Sequence, residues 1–502
     1  MSLPRRIASY VRMHGARHTL HRACEMLQDR LLHRWDRAWR GLVPSQQELD
    51  RQRKEQPDGG LISIAVPVYN TRPDFLQALC ASLLEQTYQK WEAVLYDGAS
   101  PSAQTWEALR SLPEDPRIRV IFGRTNAGIS GNTNLAAAHC AGGYIALCDH
   151  DDLLSADALW HVAQAIEQHH PDLIYTDEDK LTEDGHLHTD PHLKPDFCPD
   201  NLRSGNYVCH LTVVRRQILD EIGGLRSEYD GSQDHDLVLR VSERTDRIHH
   251  IPRVLYHWRT VSSSASHQHL ARCQDAAARA VTAHMARIGY PGTCTVENGA
   301  LRLRYDVTPS LKVQCIRVPQ KNRYQCMNRA AEESDADVLL FLDECLVDPN
   351  EAALREMLMY AQRDDVGAVT PMLTDARGRI THAGFTIDDA GRIVSRNHGL
   401  AQHAGGWHGM NRTSHNVMAV SAACAMIRKD HFIPFDPSYD DGLGAVDWCL
   451  KLSQRGLRHV YTPHARLVCT NEAYLRQWCS MDKLKASWPQ WTDPCRCGKY
   501  RS

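Results

Sequence analysis

Between residues 61 and 149, short apolar runs alternate with segments of helical period, and this alternation restricts the fold more than any other feature of the chain. LISIAVPVYN (61–70), WEAVLYDGAS (91–100), RIRVIFG (117–123) and YIALCD (144–149) read as strands. FLQALCASLLEQ (75–86) and GISGNTNLAAAHCAGG (128–143) read as helices, the second with a glycine-rich entrance. Strand and helix in turn require crossovers, which gives a parallel sheet. In such sheets ligands bind beyond the carboxyl ends of the strands. Pro67 to Asn70, Asp97, and Asp149 to Asp152 all fall at those ends, so one crevice is expected to collect them.

The last of these ends carries LCDHDDLL (147–154), with Asp149, Asp151 and Asp152 packed into four positions. Two readings fit an Asp-x-Asp here. Carboxylates at a strand end can hold a hard divalent cation, whose charge then offsets that of a departing phosphate. Alternatively, the acids are solvated charge at the start of a helix over LLSADALWHVAQAIEQ. Two later stretches favour the first reading. YDGSQDHDLVLRVSER (229–244) places Asp234 after a Gly-Ser turn at the head of a helical run. IHHIPRVLYHWR (248–259) is a strand ending in His257, Trp258 and Arg259. A carboxylate able to act as base and an imidazole able to ligate metal complete a site. His169, His170, His186, His188, His192, His249 and His250 are read as surface residues.

The series SIAVPVYN, LYDGAS, NAGISGNTN, LCDHDDLL, GSQDHDLVLR and HHIPRVLYHWR, in that order over about 61–266, resembles family 2 glycosyltransferases of the GT-A fold. It is most similar to the bacterial tandem enzymes that build surface polysaccharide such as O-antigen, and YTDEDK (175–180), HLKPDFCPD (192–200) and SGNYVCHL (204–211) fit the same relatives. The resemblance implies an α/β architecture: a GT-A domain, Rossmann-like, then a truncated GT-A-like domain, with a helical N-terminal segment. It implies that Pro67, Val68, Tyr69 and Asn70 line a nucleotide, that Asp97 contacts its base, and that Asn126 and Asn134 close that pocket. It also implies that Asp149 holds ribose or metal, that Asp151 and His257 ligate Mn²⁺ or Mg²⁺, and that Asp234 is the general base. Asp177, Asp179 and Arg259 would face the donor sugar or acceptor. Thr133 stands where many relatives carry Arg, which weakens inference of a particular nucleotide. The implied donor is a UDP-, GDP- or dTDP-sugar, and the acceptor a glycan or lipid-linked glycan. The implied chemistry is metal-dependent single displacement with inversion. A nucleotidyltransferase would usually need a glycine- and Lys/Arg-rich phosphate loop after the first strand, and VPVYNTRPD is not one. A non-catalytic glycan-binding or scaffold protein is the other alternative; the full set Asp149, Asp151, Asp234 and His257 argues against it.

The rest of the chain is less specific. Its 502 residues exceed one ordinary core, so two or three domains are expected. A net charge of −3 gives no field favouring nucleic acid. No apolar run is long enough to span a membrane and no export-type stretch opens the chain, so a cytoplasmic protein with its 17 cysteines reduced is expected. Cys495 and Cys497 make one CxC without the second pair a zinc site needs. Residues 1–45 hold nine Arg against Glu25, Asp29 and Asp36, with apolar residues at helical spacing. This segment is either a peripheral foot on an anionic membrane or a packed helix with a solvated basic face. Residues 46–60, polar and ending in Pro and Gly, read as a linker. Boundaries are then expected at 61–266 for the catalytic domain, 267–308 for a connecting helix and strand, 309–475 for a degenerate domain and 476–502 for a tail.

The degenerate domain is inferred from an internal repeat. DLVLRVSERTDRIHHIPRV (236–254) aligns without gaps on DWCLKLSQRGLRHVYTPHA (447–465), an offset of 447 − 236 = 211. The same offset carries Asp234 to Ala445 and His257 to Val468. YIALCDHDD aligns on VLLFLDECL (338–346), which puts Cys345 in the place of Asp151, and cysteine is a poor ligand for a hard cation. No counterpart of SIAVPVYN or LYDGAS is evident, so the nucleotide-binding half is expected to be missing. Asp343, Glu344 and Asp447 are read as structural. This domain either binds acceptor, serves assembly, or is a stabilising remnant.

Overall fold

The structure is a computed structural model, described for residues 19, 39, 41–261, 270–388, 391–439, 442–470, 484, 486–489 and 492–496. Almost all of 1–45, whose membrane reading was set out above, and Cys497 lie outside the described residues. Two compact units form: one from 19–197 with 205–284, the other from 198–204 with 285–501. Among the described residues no helix is long and apolar enough to cross a membrane.

The first unit is built on a nine-stranded sheet. Its strands are β1 (Ile62–Val68), β2 (Trp91–Asp97), β3 (Ile118–Phe122), β4 (Tyr144–Leu147), β5 (Leu153–Leu154), β6 (Leu173–Thr182), β7 (His188–His192), β8 (Thr212–Arg215) and β9 (Ile248–Thr260). Their order is β3-β2-β1-β4-β8-β6-β9-β5, with β7 added on β6. The first four strands run parallel. Every residue of β1 is buried, which is why it reads as one continuous apolar run: helices cover both faces of a parallel strand. Register fixes the site. Val68 pairs with Asp97, and Ala65 with Leu147, so the ends of β2 and β4 flank that of β1. β8 reverses direction between β4 and β6, and β9 returns parallel to β6. Leu153–Leu154, which the alternative reading of the aspartates put at the start of a helix, pair antiparallel with His257 and Tyr256. The following helix starts at Ala158.

The 46–60 stretch is not a linker. Gln46–Lys54 is a helix whose N-cap Ser45 accepts from the Glu48 amide at 3.2 Å. Gln52 is buried and accepts a hydrogen bond from the Thr87 hydroxyl at 2.9 Å, while Trp160 Nε1 donates to the Glu55 carbonyl. A polar helix is held here by side-chain hydrogen bonds rather than by an apolar stripe.

The second unit carries a helical segment Pro199–Ser204, a hairpin β10 (Gly292–Glu297) with β11 (Ala300–Tyr305), and a seven-stranded sheet. That sheet contains β12 (Val313–Val318), β13 (Val338–Asp343), β14 (Val366–Thr374), β15 (Ile380–His382), β18 (His415–Val417), β19 (Cys424–Arg428) and β20 (Arg458–Val468); β16 (Phe385–Ile387) pairs apart with β17 (Ile393–Ser395). The run β12-β13-β19-β14-β20 repeats β1-β4-β8-β6-β9 in order and in direction of every pairing. The expectation of no SIAVPVYN counterpart is therefore corrected: β12 takes the place of β1, while β2 and β3 have no equivalents among the described residues. The repeated helix is Leu443–Gln454, and Ala445 is buried in it. Asp343 is fully buried, ion-paired to Arg323 and accepting from the Cys345 amide at 2.8 Å. Leu484, from the tail, joins this unit's core.

Candidate active site

At the ends of β1 and β2 the chain turns tightly, with Asn70 and Ala99 at φ 52° and 58°. Asp97 is fully buried and accepts from the Ser100 hydroxyl at 2.5 Å and the Ser100 amide at 3.2 Å. The Asn70 amide donates to the same Ser100 oxygen at 2.9 Å. Pro67 and Val68 are buried, while Tyr69 is 41% exposed and faces solvent. The helix Gly128–His139 packs on β1 and β2 and brings Asn132 to this end. Asn132 Nδ2 donates to Asn126 Oδ1 at 2.9 Å, and its Oδ1 accepts from the Ala127 amide at 3.1 Å. A Cβ at Gly98 would collide with the Asn132 side chain, so any other residue there must displace Asn132. Asn134 does not close this pocket. Its amide is spent on both backbone groups of Leu225, at 2.8 Å each. Residues two apart on a helix point to nearly opposite sides, so the second Asn of the pair could not share the first one's target.

At the end of β4 the three aspartates separate by environment. Asp152 is fully buried and accepts from the Tyr256 hydroxyl at 2.5 Å and the Arg259 amide at 2.7 Å. Burial and the charges of Asp151 and Asp149 push its pKa well above the usual carboxylate range. Asp149 and Asp151 remain half-buried. Asp149, Asp152 and His210 bring ligand atoms within 4.8 Å of one another. The carboxylate excess here, with two half-buried acids beside a third forced toward its neutral form, fits a divalent cation.

Arg259 is committed to contacts within the protein. Its Nε donates to the Asp151 carbonyl at 2.7 Å and a second guanidinium nitrogen to the Glu183 carbonyl at 3.1 Å, with the group over the Phe75 ring at 4.7 Å. It braces the aspartate loop. Asp177 is likewise committed, accepting from the Lys194 amide at 2.7 Å and lying 3.0 Å from His250 Nε2. Asp234 stands in the first turn of the helix Gln233–Ser242, half-buried, and its Oδ2 accepts from Asn206 Nδ2 at 2.7 Å. Asn206, within SGNYVCHL, was not singled out from sequence; nothing in its spacing to Asp234 announces the contact. Asp236 in the same turn is consumed by Arg226 and Arg240.

His257 is not drawn to Asp149 and Asp151. Its Nδ1 lies 2.7 Å from Asp179 Oδ1, and Asp179 Oδ2 lies 3.0 Å from His188 Nδ1. Burial raises the Asp179 pKa, but the two imidazoles outweigh it and hold the carboxyl below its usual range. The surface reading of His188, His192 and His250 is thereby corrected. His250 is buried on Asp177, and His192 lies 3.3 Å from Glu178.

Residues 63–223 match the family described as Glycosyl transferase family 2. The chain is 32% identical over 516 residues to the Sinorhizobium fredii protein y4gI, covering 88% of this chain and 56% of that one. It is 32% identical over 483 residues to the O-antigen biosynthesis protein RfbC of Myxococcus xanthus, covering 81% of this chain and 37% of that one. The chain thus spans about half, or less, of the length of these relatives. Among solved structures, S. aureus TarS 1-349 in complex with UDP-GlcNAc aligns at 17% identity and TM-score 0.37, over 55% of this chain and 73% of that chain.

Proposed function

We propose that this chain, which carries a glycosyl transferase family 2 domain over residues 63–223, moves a hexose from a nucleotide-diphosphate sugar to a hydroxyl of a glycan or lipid-linked glycan. The observation that carries the reading is the sheet register, which sets the buried Asp97, the half-buried Asp149 and Asp151 beyond adjacent strand ends of one sheet. The name of one relative, an O-antigen biosynthesis protein, favours a surface polysaccharide as product.

Asp97, Asn126 and Asn132, with the 67–70 turn, would receive the nucleoside. Asp149 and Asp151 would hold a divalent cation, Mn²⁺ or Mg²⁺, which when bound supplies positive charge against the diphosphate. An alcohol is a poor nucleophile near neutral pH, so a carboxylate must take its proton as the new bond forms. Asp234 is that base in our reading, oriented by the Asn206 amide. Attack at the anomeric carbon with direct departure of the nucleoside diphosphate inverts that carbon and needs a single base. Arg259 keeps the 149–152 loop in place through the Asp151 carbonyl. The second unit, without equivalents of β2 and β3 and with Ala445 in the place of the base, would serve acceptor binding or assembly.

Asp234→Asn tests the base. Turnover should fall by about 10²–10⁴, the usual worth of general-base catalysis, while nucleotide affinity measured by calorimetry stays unchanged. Wild-type turnover in that variant overturns the assignment.

A further inference from the structure

Asp179, His188 and His257 lie on three adjacent strands. Asp179 on β6 pairs with His257 on β9. His188 on β7 pairs with Leu181, two residues beyond Asp179, so Asp179 and His188 share one face of the sheet. Asp179 and His257 are buried and His188 is partly so, and their ligand atoms all lie within 4.8 Å of one another.

The spacing within the group is that of ligands around one ion. Nitrogen and carboxylate ligands bonded at about 2.1 Å sit ~3.0 Å apart when adjacent in an octahedron and ~3.4 Å apart in the tetrahedron zinc favours, so an ion would spread the group by a few tenths of an ångström. The observed separations are 2.7 Å for His257 and 3.0 Å for His188, each from Asp179. The far side of His257 points the same way. The Ser155 hydroxyl donates to the Val254 carbonyl at 3.3 Å, and lies 3.1 Å from His257 Nε2. With its one proton kept on Val254, it accepts from Nε2–H. Nδ1 then turns a lone pair toward a buried carboxylate oxygen, a place suited to a cation, whether a metal ion or a second ring proton. A hydrogen bond from the distal ring N–H is how metal-bound histidines are usually oriented. Trp39 covers the group, stacked on His188 at 4.7 Å and edge-on to His257 at 4.6 Å, giving it an apolar lid.

We propose that Asp179, His188 and His257 bind one borderline divalent cation of the Zn²⁺ class, at a site separate from Asp149 and Asp151. Two imidazoles and one carboxylate suit zinc, iron or cobalt better than magnesium or calcium, which prefer all-oxygen sets. The inference does not rest on the transferase reading, since it concerns binding alone.

The test is titration of the full, chelator-stripped chain with Co²⁺ alone, read by visible d–d absorption, with Zn²⁺ content by elemental analysis as the second measurement. One tightly bound, imidazole-ligated equivalent is expected, beside any binding at Asp149 and Asp151. His188→Ala and the milder His188→Asn should each weaken binding at least about tenfold, while Asp151→Ala leaves it in place. Absence of a bound equivalent in the wild-type chain overturns the proposal without need of any variant. So does loss of the signal in Asp151→Ala but in neither His188 variant, which would assign the ion to the aspartate loop and leave His257 a protonated partner of Asp179.

Discussion

At the scale of single residues, environment rather than type decides what each acid does. Of the aspartates in LCDHDDLL, Asp152 is buried with its pKa pushed well up and serves the fold, whereas Asp149 and Asp151 stay within reach of solvent. Asp234 and Asp236 differ in the same way, one held by a neutral amide and the other by two arginines. The sequence marks where such acids cluster, because three in four positions at a strand end is legible. It does not mark their partners, which are chosen by cross-strand register. His188 meets Asp179, and His250 meets Asp177, only because β7 and β9 flank β6. The choice between Asn132 and Asn134 also needed the helix phase. Gly98→Ala tests that choice: the added methyl must push Asn132 aside. Overpacking of this kind should cost about 1–3 kcal/mol in urea denaturation and weaken nucleoside diphosphate binding together. Unchanged stability and affinity would place Asn132 outside the pocket.

At the scale of elements, the buried parallel strands were the legible part, because burial on both faces leaves an unbroken apolar run. The helix Gln46–Lys54 was hidden by the opposite cause: its contacts are polar. Its one overt signal is the Ser-x-x-Glu spacing of Ser45 and Glu48, a capping box. Ser45→Ala should lower stability by about 1 kcal/mol, as loss of an N-cap does, read from the same denaturation curves. Gln52→Ala strands the buried Thr87 hydroxyl and should cost about 1–3 kcal/mol. The degenerate sheet was half legible. Its lost Asp151 and His257 counterparts show in the alignment, but β12 carries no motif and only its pairing beside β13 identifies it with β1.

At the scale of the whole molecule, one family of strand orders is used twice, once with β2 and β3 at its edge and once without. The second unit's interior is unusually rich in neutral imidazole. Burial pulls the pKa of His459 down to about 4, and of His382 and His415 to about 3. These folded values lie below the unfolded one, so the unfolded chain binds protons first as the solution is acidified. Their stabilising effect is complete above about pH 6.5 and is lost progressively below it, by up to about 1.4 kcal/mol per pH unit for each histidine. The second unit's unfolding midpoint in urea should therefore fall steeply from pH 7 to pH 5. A midpoint flat across that interval would mean the three rings are not buried as neutral groups.

The transferase assignment is tested most directly by nucleoside diphosphate release from a panel of UDP-, GDP- and dTDP-sugars with Mn²⁺ and candidate acceptors, wild type beside Asp151→Ala. Metal-dependent release from one donor, lost in the variant while its fold is retained, is the result expected if Asp149 and Asp151 hold the leaving group. No release from any donor, together with no nucleotide binding by calorimetry, would contradict it and make LCDHDDLL the acidic rim of a non-catalytic fold.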